Sequence, residues 1–118
     1  MGVDVCNHQD VIALMRSHDA VISCVPYYYN LQLARAAIEA RVNFCDLGGN
    51  NSVVDAELAL NDEAREAGIN IIPDCGLAPG MVSILVAQGV KKFDEVDDVH
   101  ICVGGLPQSP KPPLEYFR

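Results

Sequence analysis

The stretch Ala20-Val21-Ile22-Ser23-Cys24-Val25 lies between Asp19 and Pro26. It is a continuous apolar run with β-branched Val21, Ile22 and Val25, the composition of a strand buried on both faces. Outward from it the chain alternates. Upstream, Met1 to Cys6 reads as the tail of a strand, and Asn7 caps a helix over about His8 to Ser17 with Val11, Leu14 and Met15 on one face. Downstream, Asn30 caps a helix ending near Arg41, with Leu33, Ala36, Ala37 and Ala40 at helical spacing. Val42 to Leu47 is the next strand, and it ends in the turn composition Gly48-Gly49-Asn50-Asn51.

The unit then repeats. Ser52 or Asp55 starts a helix through Leu58, Leu60 and Ala64, and Gly68 follows as its C′ residue. Ile69 to Ile72 is a strand, and Pro73 to Gly80 is a loop rich in Gly and Pro. A helix runs from about Met81 to Lys91 with Pro79 near its N-terminus, Val96 to Val103 is a last strand, and Gly104 to Arg118, with four prolines, is irregular. Strands separated by helices of this length are βαβ units, with parallel strands and right-handed crossovers. The expected fold is therefore α/β: part of a doubly wound, Rossmann-like parallel sheet of about four strands. No G-x-G-x-x-G follows a first strand, and the alternation begins in mid-pattern.

Composition narrows the function. The 118 residues are 50% hydrophobic and 20% charged, which fits a folded core and argues against disorder. Sixteen acidic against 8 basic side chains leave a net charge of −8, a poor match for nucleic-acid phosphate. No apolar stretch approaches the roughly 20 residues of a membrane span, and Met1 to Asp10 has neither the charge nor the apolar run of a signal peptide. Cys6, Cys24, Cys45, Cys75 and Cys102 show no metal-ligand spacing and are odd in number. They read as reduced thiols of a cytoplasmic protein, with no metal.

In an open parallel sheet, ligands sit outside the carboxyl ends of the strands. Three such ends are unusual here: Ser23-Cys24-Val25-Pro26-Tyr27, Asp46-Leu47-Gly48-Gly49-Asn50-Asn51, and Pro73-Asp74-Cys75-Gly76-Leu77-Ala78-Pro79-Gly80. Small residues let backbone approach a flat ligand. Asp46 and Asp74 project near one edge, where a carboxylate binds an ammonium, orients a ribose hydroxyl or serves as acid or base. Each feature also has a plainer reading. Asp46 and Asp74 can cap the loops that follow, Gly48-Gly49 can be a turn, and Tyr27-Tyr28-Tyr29 can pack another element instead of stacking on a cofactor. His8, His18 and His100 are isolated, and Ser23 has no G-x-S-x-G elbow.

Asp19 to Tyr27, Phe44 to Asn50 and Ile72 to Met81, with Gly104-Gly105-Leu106-Pro107-Gln108 and Lys111-Pro112-Pro113-Leu114, together resemble the saccharopine dehydrogenase-like family over nearly the whole chain. Within it, the similarity is closest to the lysine 6-dehydrogenase branch. The resemblance implies an oxidoreductase using NAD or NADP, with a dinucleotide-binding domain and a mainly β substrate and dimerisation domain. Residues 1–93 would then be the C-terminal part of the first domain without its Gly-rich loop, and 94–118 the start of the second.

By position, the resemblance implies that Ser23, Val25, Pro26, Asp46, Leu47 and Gly76 contact the cofactor. Tyr27, Asn50, Asn51, Pro79 and Gly80 would border an amino-acid substrate, with Asp46 and Asp74 as catalytic candidates. The implied reaction is oxidation of L-lysine at its ε-carbon to 2-aminoadipate 6-semialdehyde. A saccharopine dehydrogenase or reductase, or a relative of carboxynorspermidine synthase, is the alternative within the class, and a non-catalytic binding or assembly module the alternative outside it. The chain is expected to be an internal fragment, inactive alone, of a homo-oligomeric enzyme.

Overall fold

A computed structural model describes residues 2–102 and 104. Three strands, β1 (Ala20–Ser23), β2 (Asn43–Asp46) and β3 (Ile71–Ile72), form a sheet in the order β1-β2-β3. Both pairings are parallel: Ala20 lies opposite Asn43, Ser23 opposite Asp46, Phe44 opposite Ile71 and Cys45 opposite Ile72. Parallel pairing puts all three carboxyl ends on the same edge. The helices are α1 (His8–Met15), α2 (Asn30–Ala40), α3 (Asn51–Leu58), α4 (Asn61–Ala67) and α5 (Met81–Val90). The expected α/β, Rossmann-like parallel architecture is what the chain adopts.

Local chemistry explains the boundaries. Asn7 caps α1 by accepting the Asp10 amide. α2 and α4 end alike: Arg41 (φ 59°) and Gly68 (φ 76°) turn left-handed, and the next amides, Val42 and Ile69, reach back to the Ala37 and Ala64 carbonyls at 3.0 Å. These turns feed the chain directly into strands. The strand entries are tied by one side chain. Asn43 Oδ1 accepts the Asn70 amide at 3.0 Å and its side-chain nitrogen at 3.1 Å, while Asn43 Nδ2 donates to the Asp19 carbonyl at 3.3 Å.

The core joins Val11, Ile12 and Met15 of α1 to Leu33, Ala34, Ala36 and Ala37 of α2, with Val42, Phe44, Leu60, Ala64 and Ile69. The alanines of α2 are small enough to let α1 and the sheet approach closely. Burial of the larger side chains contributes roughly 1.5–3 kcal/mol each.

Several expectations need correction. Residues 2–6 form no strand: Val3 and Val5 pack on the core, but no ladder partner meets their backbone, so the described sheet has three strands instead of four. Residues 96–102 are exposed and form no strand either, since no neighbouring strand is offered to them, while Val103 lies outside the described residues. The helix expected through Leu58, Leu60 and Ala64 is two helices, because the chain turns at Ala59 and Leu60 to bury Leu60. Asn30 is the first residue of α2 and not its cap; a 3-10 turn over Tyr27–Tyr29 precedes it. The Gly105-Leu106-Pro107-Gln108 and Lys111-Pro112-Pro113-Leu114 motifs lie outside the described residues. Among the described residues no helix is long and apolar enough to cross a membrane.

Candidate functional site

The edge at the carboxyl ends of β1, β2 and β3 is built from interlocked loops. At the end of β1, the buried Ser23 hydroxyl donates to Asn30 Oδ1 at 2.7 Å. That bond ties the strand to the first turn of α2 and uses the serine as a fastener. Val25 and Pro26 then lead into the turn of Tyr27–Tyr29, closed by the Tyr29 amide on the Pro26 carbonyl at 3.0 Å.

Asp46 ends β2 and is completely buried. Its Oδ1 accepts the Gly48 amide at 2.6 Å and the Asp74 amide at 3.4 Å, and its carbonyl accepts the Cys75 amide at 2.8 Å. One residue therefore holds both the β2 loop and the β3 loop. Glycine is required where these loops touch. Gly48 is left-handed (φ 71°), and a Cβ there would occupy the space of the Asp74 carboxylate. A Cβ on Gly76 would run into the Leu47 carbonyl. Tyr27 packs over Gly49, which joins the β1 loop to the same cluster.

Asn50 caps α3 by accepting the Val53 amide at 3.3 Å, and Asn51 opens that helix in solvent. After β3, Asp74 is left-handed (φ 60°) and half-buried. The loop then doubles back: Gly76 bridges to Gly80, and the Met81 and Val82 amides meet the Gly76 and Leu77 carbonyls at 2.8 and 3.0 Å. Pro79 is exposed and Gly80 is half-buried at the entry to α5.

The structure thus brings the three sequence segments together on one edge, with different exposures. Tyr27 (41% exposed), Leu47 (44%) and Leu77 (59%) present apolar surface on the three loops, while Ser23 and Asp46 are buried. The Asp46 carboxylate is surrounded by protein, and of the two expected acids only Asp74 is partly open.

One residue of the site escapes the sequence reading. Glu57 of α3 is 1% exposed, and both its carboxylate oxygens, like Asp46 Oδ2, lack a conventional hydrogen-bond donor. Burial, the Asp46 carboxylate and, more weakly, Asp74 push its carboxyl up to about 7. A glutamate on a helix ordinarily reads as solvent-facing. The available signal was spacing: Glu57 sits three residues after Val54 and three before the buried Leu60, on the apolar stripe. Among the described residues no group of three His, Cys, Asp or Glu is arranged to hold a metal ion.

Small loops, open backbone and exposed apolar side chains at the ends of parallel strands suit a flat heteroaromatic ligand. Comparison with known proteins gives the family. Residues 1–72 match the family model for the saccharopine dehydrogenase NADP binding domain. The chain is 30% identical to a carboxynorspermidine synthase of Vibrio cholerae, over 70% of this chain and 23% of that protein. It is 32% identical to a mitochondrial alpha-aminoadipic semialdehyde synthase of Mus musculus, over 80% of this chain and 10% of that protein. The fold matches an apo, histidine-tagged saccharopine dehydrogenase (L-Glu forming) from Saccharomyces cerevisiae with a TM-score of 0.66, at 22% identity, covering 78% of this chain and 20% of that one. The chain spans a quarter or less of the length of these proteins. With a family model that covers more than half of its residues and a matching parallel sheet, the chain belongs to the saccharopine dehydrogenase NADP-binding domain family.

Proposed function

We propose that this chain supplies the nicotinamide-side edge of an oxidoreductase that moves hydride between NAD or NADP and an amine-bearing carbon of an amino acid. The observation that supports it is the convergence of three strand-end loops, two of them tied by Asp46 and the third packed on Gly49 through Tyr27, with Tyr27, Leu47 and Leu77 exposed on them. Val25, Pro26, Leu47 and Gly76, with the backbone of Ser23 and Asp46, would hold the dinucleotide, which when bound supplies the hydride acceptor. Tyr27, Asn50, Asn51, Pro79 and Gly80 would border the substrate. Asp74, the partly open acid, would face its ammonium group, and the buried Asp46 would act by holding the loops.

The reaction in this reading is oxidation of L-lysine at the ε-carbon. The dinucleotide held by Val25, Pro26, Leu47 and Gly76 would supply the two-electron acceptor for that oxidation, and water would release ammonia to give 2-aminoadipate 6-semialdehyde. The names of the relatives favour a second reading, in which the amine is the secondary amine of saccharopine or carboxynorspermidine. Assaying the whole enzyme with lysine and with saccharopine separates them: NADH or NADPH formed with saccharopine alone rejects lysine. The 118 residues by themselves are expected to give no turnover above background.

Binding at the edge has its own test. Nicotinamide mononucleotide at millimolar concentration is expected to shift the amide signals of Val25, Leu47 and Gly76. Shifts confined to other regions would reject the assignment, and a chain with no response would favour the binding or assembly module. The exposed apolar residues of and after α5, among them Ile84, Leu85 and Phe93, support association into a larger homo-oligomeric assembly. Five unpaired cysteines support a reducing, cytoplasmic setting.

A further inference from the structure

We propose that Glu57 is the positioning residue of this edge: it keeps a proton, shares it in a hydrogen bond to the Asp46 carboxylate, and thereby fixes the oxygen that gathers the Gly48 and Asp74 amides. The inference rests on reading the strand ends as the cofactor and substrate edge.

Two carboxyl groups are shut inside the protein here, Asp46 with none of its surface exposed and Glu57 with 1%. Among the described residues the one contact of a basic with an acidic side chain within 4.0 Å is His8 with Glu39 at 3.1 Å on the surface, so no basic side chain pairs with the buried acids. The groups facing Glu57 are Asp46 at the end of β2 and Asp74 in the loop after β3. Arg65 of α4 lines the same concavity of about 490 Å³ without pairing to the glutamate. Two adjacent buried anions without a counter-ion are strongly disfavoured. One shared proton removes a charge and turns the repulsion into a short charge-assisted O–H···O⁻ bond.

The donor set decides which residue holds the proton. Asp46 Oδ1 is already committed as the acceptor of two backbone amides. Glu57 receives no donor at all and is the group that remains neutral. Its carboxyl, raised to about 7, accords with that assignment. Loss of the proton would put two like charges against each other. Asp46 would be repelled, and its grip on the Gly48 and Asp74 amides would loosen. Glu57 would thus set the geometry of two loops that do not contain it.

The test is nuclear magnetic resonance on the full 118-residue chain with ¹³C and ¹⁵N labels. The Glu57 side-chain carboxyl carbon is expected to titrate near 7, and the Gly48 and Asp74 amide signals to move at the same midpoint. Glu57→Gln places a permanent N–H donor in the same space. It is expected to fold and to hold both amides in their low-pH positions across the range. Glu57→Ala is expected to shift both amides away from those positions at every pH. A Glu57 carboxyl titrating in the ordinary glutamate range would overturn the proposal, as would the same amide titration in wild type and Glu57→Gln. A merely space-filling role would leave the Gly48 and Asp74 midpoints unchanged in Glu57→Gln. None of these signals needs bound dinucleotide or turnover, so failure of the nicotinamide titration leaves them intact and counts only against the functional reading.

Discussion

Glu57→Gln changes the charge of one buried side chain with almost no change in shape, and its consequence for stability follows from the structure. The wild-type carboxyl lies at 4.5 when unfolded and about 7 when folded. Between those values the folded chain binds more protons than the unfolded chain. Stability therefore falls as pH rises: the contribution is complete below about 4.5 and lost above about 7. The difference amounts to on the order of 3 kcal/mol, a large part of the 5–15 kcal/mol typical of a domain. With a urea slope of about 1–3 kcal/mol/M, the unfolding midpoint should drop by roughly 1–3 M between pH 5 and pH 8. The glutamine variant has no proton to lose and donates to Asp46 throughout. Its midpoint should stay nearly level, and at pH 8 it should be more stable than wild type. Other groups that titrate in this window are common to both chains and cancel in the comparison. Urea unfolding followed by circular dichroism at pH 5, 6, 7 and 8 measures both slopes. Equal slopes in the two chains, or a wild type that gains stability toward pH 8 relative to the variant, would refute the reasoning.

Gly76→Ala drives a methyl group into the Leu47 carbonyl, a backbone atom that cannot swing aside. It should cost about 1–3 kcal/mol in urea unfolding and displace the Leu47 and Cys75 amide signals. Ser23→Ala removes the donor to the buried Asn30 Oδ1 and should destabilise the chain by about 1–3 kcal/mol, with faster amide exchange in the first turn of α2.

Much of this protein is legible along the chain. The strand at Ala20, the alanine stripe of α2, the Asn7 cap and the left-handed Gly68 depend on neighbours within a few residues, so periodicity and turn chemistry report them directly; burial of both faces of that strand, which the apolar run suggests, is not met, since Ala20 and Ile22 are exposed. The three strand-end segments were visible for the same reason, and parallel βαβ connection by itself puts them on one edge. Where the reading failed, the missing element was a partner from elsewhere. Residues 2–6 carry valines suited to a strand, yet a strand exists only when another backbone completes its ladder. Asn43 looks like any polar residue until β1 and β3 entries are laid beside it. Ser23 and Asn30 become a buried pair only when the turn of Tyr27–Tyr29 folds α2 back onto β1. Asp46 was recognisable as an acid at a strand end, but its complete burial, and the proton its neighbour must keep, arise only when α3 sets Glu57 against it. Local pattern determines which way a backbone runs; the charge state of a carboxyl depends on the solvent and dipoles around it, and here those are supplied by loops and a helix that only the tertiary fold brings together.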